Sequence, residues 1–475
     1  MRALALILLL ALAPLAHASV AGREAIERAA ELINAGELAH AERLIERELE
    51  AGSSSNELLY QFARLMAQRG DEDKASAGLI AAVGAGFTDF FRLTRDPALE
   101  PVRDGQAYRT IAANRATLLR DRAEADFRAV RQALPRYTFR RVDDLRLQFA
   151  TAHDEGTLDA VIAEARELRA WLGEILGPPP ADPELDPWVT VILPSPEDFV
   201  RLIGPGALGT VGGYYDPETR RLVSGDLGPS LRHELAHVFH FRRLERLGQS
   251  RPLWLTEGLA ALPESLDARS EEMAPVPCWR TDIARRRLAA GRLRTWSDLF
   301  AQERERFVGH HPNAQYAQAR AVALFLHERG LWPELERELE RTHGKDPTGR
   351  TAVSAAAGRP AEAVEREFRG WLATLDAGDP DEVEATAALG LVLRPGRGLG
   401  PEIEHVEMRS AAREARLRAR DVIVAVGGRP ARTAAEVLRG VRSFHEAGEA
   451  APVRVLRGRR ELTVEVAPPA GARGR

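Results

Sequence analysis

His233 and His237 stand four residues apart in the run Leu231-Arg-His233-Glu234-Leu-Ala-His237, with Glu234 directly after the first. Residues at i and i+4 lie one above the other on a helix, so two imidazole nitrogens can reach a single ion. Glu234, beside the first imidazole, can take a proton from water activated by that ion. A second run, Trp254-Leu-Thr-Glu257-Gly-Leu-Ala260, offers a carboxylate twenty residues after His237. Two imidazoles, one further carboxylate and an open fourth position for water suit a catalytic zinc site, with one Zn2+ per chain. The chemistry of such a set is hydrolysis by activated water, with Glu234 as general base.

Two elements must position these groups. Leu231, Leu235 and Val238 fall at i, i+4 and i+7 and make an apolar stripe, while His233 and His237 lie on the other side of the wheel. One face of that helix packs and the other faces a site. Trp254 and Leu255 would pack the start of a second helix, and Gly258 and Ala260 leave room for close approach. On these residues the chain resembles the gluzincin metallopeptidases: HExxH, a spacer of this size, then a ligand Glu on the next helix. More narrowly, PLWLTEGLA after HELAH resembles the bacterial peptidase-MA-like group. The resemblance implies His233, His237 and Glu257 as zinc ligands, Glu234 as the base, and a zincin-like domain with a sheet over the active-site helix.

Hydrolysis through a tetrahedral intermediate also needs a donor to the oxyanion. Tyr316, at the start of a helix downstream of Glu257, is the first candidate, because related peptidases often draw a Tyr from a similar place. A Tyr packed on the core is the alternative. Tyr214 and Tyr215 follow Gly212-Gly213 in an expected edge strand that ends at the turn Asp216-Pro217-Glu218-Thr219. Such an edge can bind substrate backbone as an added strand; an ordinary hairpin with aromatic packing is the alternative. His240 is expected at a rim or on the surface, and His310-His311-Pro312 in a loop. Glu264 and Asp267 read as surface carboxylates, a supporting role behind the metal being the lesser reading.

The chain opens with Met1-Arg2, an apolar run from Ala3 to Ala13, and Ala16-His17-Ala18. A charged start, a short apolar core and an A-x-A site form a secretory signal, too short for a membrane span. No Cys marks a lipoprotein site, and no later stretch of about 18 apolar residues occurs. The mature chain is therefore expected to be periplasmic or secreted, without a membrane span. A net charge of −4 and pI near 6.4 argue against bulk electrostatic binding to nucleic acid. Cys278 is the only cysteine, which rules out an intrachain disulfide and supplies no context for a thiol protease.

With 475 residues, several domains are expected. After the signal (1–18), residues 19–115 are Ala-rich and helical, with Gly at the turns. The loose recurrence of Ala29-Ala-Glu-Leu32 and Gly36-Glu-Leu38 as Ala63-Arg-Leu65 and Gly70-Asp71 resembles tetratricopeptide repeats. A charged linker helix (116–136) precedes the zincin-like domain (137–378), divided into a sheet lobe (137–270) and a helical lobe (271–378). Beyond Ala377-Gly378-Asp379-Pro380-Asp381 the pattern turns to short strands: Leu389–Leu393, Glu402–Val406, Asp421–Val426, Val453–Leu456 and Leu462–Val466. Residues 379–468 resemble a bacterial PDZ domain, followed by a tail (469–475). The resemblance makes Leu389, Gly390 and Leu391 the loop that captures a peptide's C-terminal carboxylate while the peptide adds as a strand. Arg416 and Arg420 stand where such domains usually carry glycine.

The expected fold is thus multidomain α+β: helical repeats, a zincin-like catalytic domain and a small, mostly-β PDZ-like domain. The expected activity is zinc-dependent peptide hydrolysis on protein or peptide substrates, selected in part by their C-termini. The rival from another class is a periplasmic scaffold that binds peptides through its repeats and PDZ-like domain, with a structural or inactive zinc site. An aminopeptidase would need a site for the substrate's free amine, and no motif for one lies near the ligands.

Overall fold

The computed structural model describes residues 20–177, 182–203, 212–270, 272–309, 312–375, 389–394, 400–458 and 460–468. The expected signal (1–18), linker (377–381), tail (469–475), most of Gly177-Pro-Pro-Pro180 and His310-His311 lie outside the described residues. The molecule is mixed α+β, mostly helical, with two sheets. It divides into two compact units. One comprises Met1–Ala152, Pro180–Val223 and Phe241–Gly248; the other His153–Pro179, Ser224–His240 and Gln249–Arg475.

The first unit opens with helices α1 (Val20–Asn34), α2 (Leu38–Glu50), α3 (Asn56–Gln68) and α4 (Glu72–Gly84). Ser55 and Asp71 cap α3 and α4 by accepting from the Leu58 and Lys74 amides. Gly36 and Gly70 take φ of +77° and +75° between helices, a left-handed turn that favours glycine. Then follow α5 (Phe90–Arg95), α6 (Gln106–Ala113) and α7 (Arg115–Ala133). Tyr60, Leu58, Leu65 and Leu93 are fully buried, and the Tyr60 hydroxyl donates to Asp96 at 2.8 Å.

A five-stranded sheet completes this unit in the order β1-β2-β3-β5-β4. Its strands are β1 (Thr138–Val142) and β2 (Leu147–Thr151), then, beyond helix α8 (Glu155–Leu176) of the other unit, β3 (Val189–Leu193). Helix α9 (Pro196–Ile203) precedes β4 (Gly213–Asp216) and β5 (Arg221–Ser224). β1 pairs antiparallel with β2, and β2–β3 and β3–β5 are parallel. The stretch 138–151 is a hairpin that turns at 143–146. Helix α7, in the expected linker region, packs on this sheet. Its buried Asp126 accepts from Thr190 Oγ1 at 2.5 Å and from Arg221 at 2.5 and 2.9 Å. The Ala123 carbonyl accepts from Gln148 at 3.0 Å.

The second unit holds α8, the first part of α10 (Pro229–Leu247), then α11 (Leu253–Ala261) and α12 (Trp279–Ala289). It continues through α13 (Trp296–Phe300), α14 (Arg304–Gly309), α15 (Pro312–Glu328), α16 (Trp332–Thr342), α17 (Arg350–Ala356) and α18 (Ala361–Thr374). Trp254, Trp296, Trp332, Phe325 and Phe368 are fully buried among these helices. The helix carrying Tyr316 begins at Pro312, which places Tyr316 one turn in rather than at the start.

The unit closes with a second sheet of β6 (Leu391–Arg394), β7 (Glu402–Val406), β8 (Val422–Val426), β9 (Arg429–Pro430), β10 (Ala451–Arg457) and β11 (Arg460–Val466). Helix α19 (Ala411–Glu414) precedes β8 and helix α20 (Ala434–Glu446) precedes β10. The strand order is β11-β10-β8-β7-β6, with β9 on β8, so β6 is an edge strand. Arg416 and Arg420 adopt φ of +63° and +69°, the left-handed conformation that glycine favours. The Arg420 amide donates to Ile403 O at 2.7 Å, and Arg457 donates to Arg416 O at 2.9 Å, so the turns form without glycine.

Candidate metal centre

α10 starts where the buried Asp226 carboxylate accepts from the Gly228 and Ser230 amides at 2.8 and 3.1 Å. Leu231, Leu235 and Val238 are buried, as the apolar stripe requires. His233 and His237 share the other face, their rings edge-on with centroids 4.7 Å apart. Glu234 is half-buried beside them. His240, expected at a rim, is buried instead, with 1% of its surface exposed.

α11 brings in Glu257. Trp254 fixes the helix start: its ring stacks on Phe300 at 4.0 Å and its indole N–H donates to Thr348 O at 2.9 Å. A Cβ on Gly258 would meet Ala319 O at 2.7 Å, so α11 and α15 touch backbone to backbone where the sequence offers only hydrogen. The far end is held by Arg320, a fully buried guanidinium. It donates to Ala261 O at 2.8 Å, Leu262 O at 3.3 Å and Val276 O at 2.8 Å. Carbonyls at a helix end otherwise lack partners, which gives this Arg a structural task.

Three donor atoms converge. His233 Nε2 and His237 Nε2 are 3.1 Å apart, and each lies 3.4 Å from Glu257 Oε2. Ligands about 2.0–2.1 Å from a tetrahedral zinc are separated by about 3.3 Å, so this triangle has the right edge. The set offers one ligand atom per residue, and all lie within 4.8 Å of one another.

Glu264, expected on the surface, is the correction that matters most here. It is buried, and its Oε1 accepts from His233 Nδ1 at 2.8 Å. An ionised carboxylate can only accept, so Nδ1 carries a proton and Nε2 is the nitrogen that faces the centre. Arg280 holds the other side of Glu264 at 2.6 Å. No spacing signal marks either residue. Both depend on the chain folding back after the short turn Leu262–Glu264.

The electrostatics fit a cation. Burial alone would lower the His233 pKa, but hydrogen bonds to Glu257 and Glu264 hold it up at about 10. Burial would raise both carboxyls, yet Glu257 is held well below its usual range by His237 and His233. Glu264 is drawn down to about 2 by Arg280 and His233. Two carboxylates facing two imidazoles favour positive charge at the centre, whether a proton or a metal ion.

Tyr316 is half-buried against Phe307, ring centroids 5.3 Å apart, with the Arg280 guanidinium 5.7 Å from its ring centre. Burial raises its phenol pKa, and the charges of Glu257 and Glu234 raise it further. Tyr316 therefore shares the electrostatic environment of the cluster. Tyr214 and Tyr215 belong to the other compact unit. Tyr214 packs on the Ala150, Ile192 and Val223 cluster. The Tyr215 hydroxyl accepts from Arg220 at 3.3 Å, so both tyrosines of this hairpin have packing roles.

At the C-terminal sheet, Leu389 and Leu391 are buried in its core. Gly390, at φ +66°, accepts from the Glu407 amide at 2.8 Å, and a Cβ there would meet Ser410 Cβ at 2.2 Å. These three residues lead into β6, whose edge position suits an added strand.

A family model for the PDZ domain matches residues 387–467. Among solved structures, an aminopeptidase N family protein from Idiomarina loihiensis is similar at a TM-score of 0.25 and 13% identity. The match covers 71% of this chain and 67% of that one, with a superposition too loose to argue from. No curated protein matches. What the comparisons establish is local: residues 387–467 are a PDZ domain.

Proposed function

We propose that the chain is an exported zinc metallopeptidase of gluzincin type whose PDZ domain binds peptide. The observation that carries this reading is the convergence of His233, His237 and Glu257, with Glu264 fixing the His233 tautomer. The donor set fits zinc, and a bound zinc ion would polarise the scissile carbonyl and lower the pKa of a water.

This chain's own residues do the rest. Glu234 takes a proton from the attacking water as its oxygen bonds to the carbonyl carbon. It then passes that proton to the amine nitrogen as the C–N bond breaks. Tyr316 donates to the oxyanion, and its raised pKa keeps the phenol protonated throughout the neutral range. A purely structural metal site would not need Glu234, and Glu234 therefore separates the enzyme from the scaffold.

The test pairs zinc stoichiometry with cleavage of a peptide library by the purified chain and by Glu234→Gln. One zinc in each, with cleavage lowered at least about 100-fold in the variant, supports the peptidase. Zinc in both and cleavage by neither selects the scaffold. A metal-replete chain without zinc ends the proposal.

A further inference from the structure

The residue between Leu231 and His233 has no place in the proposed reaction, yet it is buried and held by partners on several sides. Arg232 is buried, 3% exposed. Its Nε donates to Pro263 O at 2.6 Å and its Nη2 to Glu264 O at 3.3 Å, the main chain of the residue that orients His233. Its Nη1 pairs with Glu164 of α8 at 2.6 Å. Its remaining partner is Glu436, on the first turn of α20 in the PDZ domain.

Glu436 is itself fixed. Its Oε2 accepts from the Arg432 and Thr433 amides at 2.8 and 3.0 Å, and Thr433 caps α20 in return. Its side chain is 9% exposed. The start of α10 comes close to the same corner: a Cβ on Gly228 would meet Arg432 Cβ at 2.7 Å and Glu436 Oε2 at 3.0 Å. A second route joins the same two regions through the main chain. Four residues beyond Glu264, Ala268 sits in the PDZ core with Val426, Val437 and Val441. Its carbonyl accepts from Gly428 N at 3.2 Å.

We propose that Glu436 of the PDZ domain is a positioning residue of the metal centre. Through Arg232 it fixes the Pro263–Glu264 segment, whose carboxylate orients His233. The inference rests on the zinc reading above. Removing the Glu436 charge leaves Arg232 bound to Glu164 alone among carboxylates and frees its fork to leave the Pro263 and Glu264 carbonyls. Glu264 then loses its main-chain restraint, and His233 loses the fixed geometry that metal affinity requires.

The experiment uses the full chain and reads zinc affinity by competition with a chromophoric chelator, together with the visible spectrum of the cobalt(II)-loaded protein. Glu436→Gln keeps the helix cap, since Gln serves the capping box as Glu does. It should weaken zinc roughly three- to tenfold, below the roughly 10–100-fold expected of a direct partner of a ligand, and alter the cobalt bands. Glu436→Asp keeps the charge and should recover at least part of the loss. Glu167→Gln removes a different PDZ contact, the pair with Arg429, and should leave zinc affinity unchanged. Equal affinity in Glu436→Gln and the parent, while Glu264→Gln is weakened, overturns this proposal and spares the zinc reading. Equal losses in Glu436→Gln and Glu167→Gln assign the effect to docking in general and also overturn it. A parent chain that binds no zinc overturns both.

Discussion

Glu264 shows what a single carboxylate does behind a candidate ligand. It accepts from His233 and is gripped by Arg280, and so sets both the tautomer and the tilt of the imidazole. Glu264→Gln keeps an acceptor but loses the charge that pairs with Arg280. Zinc affinity should fall roughly 10–100-fold, read by chelator competition, with the fold intact by circular dichroism. An unchanged affinity would reduce Glu264 to packing. The convergence of His233, His237 and Glu257 was legible because its geometry is local: four residues on a helix fix where two imidazoles stand, and a Glu-Gly pair marks the next helix. Glu264, Arg280 and Arg232 were not, because each acts on a neighbour 31, 16 and 31 residues away. No periodicity encodes a hydrogen bond made across a fold. Arg320 was hidden for a related reason: an Arg in an Ala-rich helix reads as solvent-facing until the carbonyls it serves are seen.

Among elements, α11 is closely confined. Gly258 lets it lie against the backbone of α15, and the added methyl of Gly258→Ala has 2.7 Å to the Ala319 carbonyl oxygen. The helices must part, and Glu257 moves with them. Stability should fall by about 1–3 kcal/mol, seen as a lower denaturant midpoint, and zinc stoichiometry should fall with it. A variant as stable as the parent with full zinc would mean α11 shifts at no cost. The apolar stripe of α10 and the hairpin at 213–224 followed from periodicity and turn chemistry. The role of α7 did not. Its charged sequence reads as a linker helix, and Asp126 proves to be a buried acceptor for the sheet. Arg416 and Arg420 teach the converse. Their turns keep the left-handed backbone because contacts elsewhere hold it, against the preference of the residues themselves.

Across the molecule, the compact units do not follow the boundaries drawn from sequence. The sheet groups with the N-terminal helices, while α11, α12 and α15 group with the PDZ domain. The PDZ strands were legible because each is short and bounded by turns; their partnership with the metal region was not, since it passes through Ala268, Arg232 and Glu164. A ligand that binds only the native state stabilises the cooperative unit containing its site. Zinc should therefore slow amide exchange in β8 and β10, which lie in the same unit as His233. Hydrogen exchange with zinc and with EDTA reads this directly. Equal exchange in both would mean that the PDZ domain opens on its own. The place of Ala268 also bears on heredity. A recombination cassette cut at 387–467 would carry every strand of the PDZ domain and leave behind a residue that helps fill its interior. Such a module travels poorly: a lineage that shuffles it must also bring a donor loop, or evolve a larger side chain to close the gap.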